Sequence, residues 1–262
     1  MKRLCIIGMI SLLSLIPLQA DNIGGEISLG FYNHSPSGYA SYTDPFLGHI
    51  GTTANIEDTL HWTSDTDLIL KAYIEHPVPI LPNIKLALTN LSHDGEGNVN
   101  DFTWGSIDIP FEGSIENSFE MRKYDLTLYY ELLDNWAEID LGVTLGYLSG
   151  NIDVTALAGF STLPKLSHSE STDFSAFLPT LYGKTRFTIP TTDLSFQLEG
   201  DVFSYDETTY YTYEASVRYT FSMGLGVEGG WKALHLDSTD MVDGLNLDMD
   251  FSGPYAAVVW DF

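Results

Sequence analysis

The sequence predicts an all-β chain that crosses a membrane as a transmembrane antiparallel up-and-down β-barrel of about ten strands, with eight or twelve as alternatives. Three observations carry this. The chain opens on an apolar leader of export type, period-two alternation recurs along the rest of its 262 residues, and the closing Pro254-Tyr-Ala-Ala-Val-Val-Trp-Asp-Phe262 alternates up to a terminal aromatic.

Lys2 and Arg3 precede an apolar run from Leu4 to Ile16, and the small Ala20 stands before Asp21, which reads as a cleavable signal over residues 1–20. A spanning helix needs about 20 predominantly apolar residues, so this run is too short to serve as one. Residues 21–262 then form a single barrel domain. The sole cysteine, Cys5, falls inside the leader, which excludes disulfides, a thiol enzyme and a cysteine-based metal site from the mature chain.

The strands follow in order. Ile27, Leu29 and Phe31 oppose Glu26, Ser28 and Gly30, and further strands fit at about 66–76 and 84–94. Leu126, Leu128, Tyr130 and Leu132 oppose Asp125, Thr127, Tyr129 and Glu131, then Leu133-Asp134-Asn135 turns the chain into Leu141, Val143, Leu145 and Tyr147 against Asp140, Gly142, Thr144 and Gly146. A strand at 174–187 contains Pro179, which calls for a local bulge or an edge-like break. Phe196, Leu198 and Val202 come next, then Tyr213, Ala215, Val217, Tyr219 and Phe221, then Leu225, Val227 and Trp231, and last the strand at 247–262.

Short links at about 77–83, 133–135, 188–192 and 222–223 alternate with longer or more polar ones at 34–65, 95–119, 151–172, 205–208 and 239–246. That is the asymmetry of short periplasmic turns and long external loops. Val99 to Ile109 would raise the count to twelve as a further strand pair. The direction of the 120–132 strand, whose short exit must be periplasmic, favours a hairpin extending outside the membrane.

The formal charge of −25 becomes −27 once Lys2 and Arg3 leave with the signal, which excludes a basic nucleic-acid surface. The alternation turns Glu26, Lys71, Lys85, Lys184, Arg186, Glu199, Asp201, Glu214, Arg218, Glu228 and Lys232 inward as a lumen charge network. Charges are costly to bury unpaired, so acids and bases are expected to pair across strands. Ten strands lie near the size at which side chains fill the interior, which favours a closed plug over a narrow pore for ions or small solutes. Ala256, Val258, Trp260 and Phe262 face lipid and match the kind of C-terminal signal read by barrel-assembly machinery, with the strand around Ile27 to Phe31 as partner.

Much of the excess acid falls in external segments, including Asp94, Glu96, Asp101, Glu116 and Glu170, with a second cluster at Asp237, Asp240, Asp243, Asp248 and Asp250. Such oxygens suit divalent cations bridging to lipopolysaccharide, or weak calcium binding. An EF-hand is excluded because Phe251 follows Asn246, Asp248 and Asp250 where glycine is required. His235 with Asp237, and His93 with Asp94, are the nearest approach to a rim-active protease or lipid-modifying site, yet neither forms a catalytic motif. No catalytic, cofactor or metal residue is therefore assigned. Tyr39, Tyr42, Phe46, Trp62, Phe102 and Trp104 read as part of an interfacial girdle or as a recognition surface in loop 34–65.

Glu75-His-Pro-Val-Pro-Ile-Leu-Pro-Asn-Ile-Lys-Leu86, Tyr129-Tyr-Glu-Leu-Leu-Asp-Asn-Trp136, Leu178-Pro-Thr-Leu-Tyr-Gly-Lys184 and the closing Gly253-Pro-Tyr255 resemble segments of a family of uncharacterised proteobacterial outer-membrane β-barrel proteins. The resemblance implies location in the cell outer membrane and no particular activity. The expectation is a monomeric structural or surface-interaction barrel, in contact with outer-membrane lipid, lipopolysaccharide and the assembly machinery.

Overall fold

A computed structural model describes residues 24–46, 50–78, 80–134, 136–158 and 166–262. The expected signal at 1–20 lies outside the described residues. The strands are β1 (Gly24–Tyr42), β2 (Ala54–Asn55), β3 (Asp65–Glu75), β4 (Asn83–Trp104), β5 (Ile107–Leu133), β6 (Ala137–Ala158), β7 (Leu166–Thr188), β8 (Leu194–Tyr205), β9 (Thr208–Thr220), β10 (Leu225–Val242) and β11 (Leu245–Asp261). Each of β3 to β10 pairs antiparallel with its successor, β1 pairs with β3, and β11 returns to β1. The ring thus has ten strands, and the two-residue β2 lies on β1 above the point where β3 ends.

The closing register sets Ile27 opposite Trp260, Leu29 opposite Val258 and Phe31 opposite Ala256. The seam ends in two backbone hydrogen bonds, Gly25 N–H to Phe262 O and Phe262 N–H to Gly25 O, both 2.9 Å. Leu29, Phe31, Leu126, Leu141, Val143, Leu198, Val227 and Val258 are exposed on the outer wall. Aromatics edge this apolar belt: Trp136 against Phe187 and Trp260 against Phe262 near the short turns, Tyr147 against Phe177 at the other boundary.

Crossing a bilayer takes about 9–11 tilted residues. β4, β5, β6 and β7 have 22, 27, 22 and 23, so they continue well beyond the belt. There the pattern inverts. On β6 the outward positions pass from Leu141, Val143, Leu145 and Tyr147 to Ser149, Asn151 and Asp153, while the inward ones pass from Asp140 and Thr144 to the buried Leu148, Ile152 and Val154. On β11 the outward positions likewise pass from lipid-facing Trp260 and Val258 to Asp250 and Asp248, with Phe251, Met249 and Leu247 buried on the inner face. The phase change follows from the solvent outside the wall, which is lipid below and water above.

The long external connections are therefore built largely as strand. The β4–β5 hairpin carries the chain from 83 to 133 and turns at 105–106, and β8 meets β9 through Asp206 and Glu207, both at positive φ (46° and 60°). That left-handed pair is the two-residue hairpin geometry that fits strand twist. Residues 95–104 and 107–119 are the arms of the external hairpin expected from sequence, whereas 151–158 and 166–172, read from sequence as a loop, are strand for this reason. Pro179 brings no register shift in its pairing with β6. The β7–β8 ladder stops at Leu181 opposite Val202, so the absent N–H costs no bond to β8, and the break is of the edge-like kind.

The segment after β2 folds inward over β4 and β5. Asn55 Oδ1 accepts the amides of Glu57 and Asp58 at 2.9 and 2.7 Å, a local side-chain turn that compacts 55–58. Ile56, Leu60 and Trp62 then join Leu91, Phe119, Ile152, Phe174 and Phe251 in an apolar core above the belt. Gly95 permits this approach, because a Cβ there would lie 1.8 Å from the carbonyl oxygen of Leu60. Trp62, Phe102 and Trp104 are buried in this core, which corrects their reading as girdle or recognition residues. Tyr39 and Phe46 do remain exposed.

Candidate functional site: the filled lumen and the acidic outer wall

Inside the belt, alternate residues of every strand point to the axis, and a barrel this narrow forces their charged ends together. Lys71 Nζ bridges Glu199, at 3.1 Å, and Glu214, while Lys85 also reaches Glu199 and Lys232 reaches Glu214 at 2.5 Å. Tyr73 and Gln197 donate to the same Glu199. Nearer the short turns, Arg218 pairs with Glu26 and Glu228, each at 2.6 Å, and Arg186 meets Glu26 at 2.8 Å. Lys184 lies 2.8 Å from Asp140, and Asp201 accepts from Thr180 at 2.8 Å. All eleven lumen residues read from the alternation thus occupy inward positions, Arg186 half-buried and the rest buried.

Sequence reading missed Lys123, which is buried and paired with Asp125. It shares the parity of Asp125 and Thr127, and extending that parity two residues would have found it. Its neighbour Arg122 points outward, with 60% of its side chain exposed.

The internal cavity among Lys71, Lys85, Lys123, Asp125, Glu199, Asp201, Tyr210 and Glu214 has a volume of about 20 Å³. That is room for about one water molecule. The apolar core sits above it, so the lumen is filled at both levels.

The rim candidates do not come together. His93 points inward, 3.1 Å from His34, with Nδ1 at 2.9 Å from the Thr63 carbonyl, whereas Asp94 points out. His34 also lies 3.2 Å from Asp67. His235 and Asp237 share the outer face of β10, where His235 Nδ1 is 2.9 Å from Asp250 Oδ1. Asp94, Glu96, Glu116 and Asp153 form another acidic stretch of the outer wall, with Glu96 directly opposite Glu116.

A closed antiparallel ring with an apolar outer belt, aromatic boundaries and a polar filled interior defines the class of outer-membrane β-barrels. No family model matches the chain, and no curated protein matches it. Among solved structures it is similar to the outer membrane protease OmpT of Escherichia coli, with a TM-score of 0.52 and 16% identity over 95% of this chain and 99% of that one. The transport unit of the autotransporter AIDA-I from Escherichia coli follows at a TM-score of 0.38 and 10% identity, covering 95% of this chain and 92% of that one. The attachment invasion locus protein Ail of Yersinia pestis has a TM-score of 0.35 and 10% identity, covering 91% of this chain and 98% of that one. The likeness to OmpT is one of fold.

Proposed function

We propose that this outer-membrane barrel is non-conducting and serves a structural or surface-interaction role, presented by the acidic walls that stand above the membrane. The observation that carries the reading is the small size of the cavity among the paired lumen lysines and glutamates, about 20 Å³. Desolvated ion pairs of this kind are poor material for an ion path, because each would have to be broken for a solute to pass. The partners proposed are outer-membrane lipid, lipopolysaccharide and the barrel-assembly machinery, with the protein itself a monomer.

Purified protein in planar bilayers tests this reading. Silence at applied voltages of either sign is expected. Reproducible unitary conductance that changes in Arg218→Ala would replace it with a narrow pore.

A further inference from the structure

Above the belt, the outer faces of β10 and β11 carry a set of side chains that the filled lumen does not use. His235 stands opposite Asp250 and Asp237 opposite Asp248 in the antiparallel register. One donor atom each of His235, Asp248 and Asp250 lies within 4.8 Å of the other two. Tyr211, opposite His235 on β9, stacks on the imidazole with centroids 4.8 Å apart and planes at 23°, which fixes the ring's orientation.

We propose that His235, Asp248 and Asp250 form a binding site for a divalent transition-metal ion of the Zn²⁺ or Mn²⁺ class. The mixed donor set decides the class: an imidazole nitrogen with two carboxylates suits these ions, whereas Ca²⁺ and Mg²⁺ take oxygen ligands. Ligand atoms about 2.1 Å from one tetrahedral ion are about 3.4 Å apart, so closure needs shifts of roughly 1 Å at the ends of short aspartate side chains. Asp237 strengthens the case. Like charges directly opposite on neighbouring strands destabilise a sheet, and a cation bound beside Asp248 relieves its repulsion with Asp237. The position also differs in kind from the other acidic stretch, at Glu96 and Glu116, which has the cross-strand repulsion but no histidine among the residues lining it.

Three protein ligands on an exposed wall leave coordination positions open, so the bound ion is expected to be exchangeable. The test is a Mn²⁺ titration of the folded protein in detergent micelles, read by the loss of the free-ion electron paramagnetic resonance signal. One Mn²⁺ per chain is expected, displaced by an equivalent of Zn²⁺. His235→Ala and Asp250→Asn should each weaken binding tenfold or more, while the double variant Glu96→Gln/Glu116→Gln leaves it within twofold. All three variants lie on the outer wall, and a retained gel-mobility shift on heating verifies that each is folded. Less than tenfold weakening in either His235→Ala or Asp250→Asn would overturn the proposal, as would a loss in the Glu96/Glu116 variant equal to theirs, which would mean diffuse attraction to an acidic surface.

Discussion

Arg218 on β9 holds Glu26 on β1 in a two-pronged hydrogen bond, Nη1 to Oε2 at 2.7 Å and Nη2 to Oε1 at 2.6 Å, although β10 and β11 stand between them in the wall. The same guanidinium donates to Glu228 through Nε and Nη2, at 2.8 and 2.6 Å. One side chain thus ties β1, at the closing seam, to β9 and β10 through the lumen. Removing it in Arg218→Ala leaves Glu26 and Glu228 buried with fewer partners. Loss of one member of a buried pair costs about 3–5 kcal/mol. The expected outcome is a lowered midpoint for heat- or urea-induced unfolding in detergent, read on the gel-mobility shift. Arg218→Lys recovers only part, since an ammonium cannot reproduce the fork.

The inward segment gives a second prediction. Gly95→Leu places a side chain where the Leu60 carbonyl sits, and this obstacle is backbone rather than a flexible chain end. Overpacking costs about 1–3 kcal/mol. Residues 54–62 should therefore be displaced while the belt survives: limited proteolysis cuts between Ala54 and Trp62 in the variant and not in the wild type, with the heat-dependent mobility shift retained. Equal protection in both would show that the contact at Gly95 does not hold the segment.

How much of this was legible in the sequence depends on which solvent each strand faced. Within the belt, alternation gave the inward set, because with lipid outside every charged residue of these strands must turn inward. Above it, Leu148, Ile152 and Val154 take over the inward positions that Asp140 and Thr144 occupy below, and the outer face turns to serine, asparagine and aspartate. Read for a greasy outer face, such stretches look like loops, although their period is unchanged. The His235, Asp248 and Asp250 grouping was hidden for a simpler reason. Its members lie on two strands, and only the β10–β11 register brings them together.

The buried histidine pair makes stability depend on pH. Both rings sit above the belt, since the outward positions beside His34 are the polar Asn33 and Ser35. Burial, and then the neighbouring His34, hold the His93 imidazole down to about 4 from an ordinary 6.5, and burial lowers His34 as well. Above pH 6.5 the His93 ring is neutral whether the chain is folded or not, and its contribution is fully present. Between 6.5 and 4 the unfolded chain binds a proton that the folded one refuses, so stability falls as pH drops, by up to about 1.4 kcal/mol per unit for one such group. Unfolding midpoints measured from pH 7 to 5 should fall more steeply in wild type than in His34→Asn/His93→Asn. Parallel profiles would contradict this.

The seam supplies the last prediction, because Phe262 acts in two separable ways. Its backbone makes both terminal hydrogen bonds to Gly25, and its ring lies on the outer face beside Trp260, with centroids 5.2 Å apart. Phe262→Ala keeps the two backbone bonds and removes the ring, whereas deletion of Phe262 removes both. A net hydrogen bond contributes about 0.5–1.5 kcal/mol, so in detergent refolding Phe262→Ala should stay close to wild type, and the deletion should lose roughly 1–3 kcal/mol. In cells the ranking changes if the aromatic ring is what assembly machinery reads. Both variants should then accumulate unassembled to a similar extent, measured as the unfolded fraction of membrane-associated protein on unheated gels. Full assembly of Phe262→Ala in cells would confine the residue's role to closing the seam.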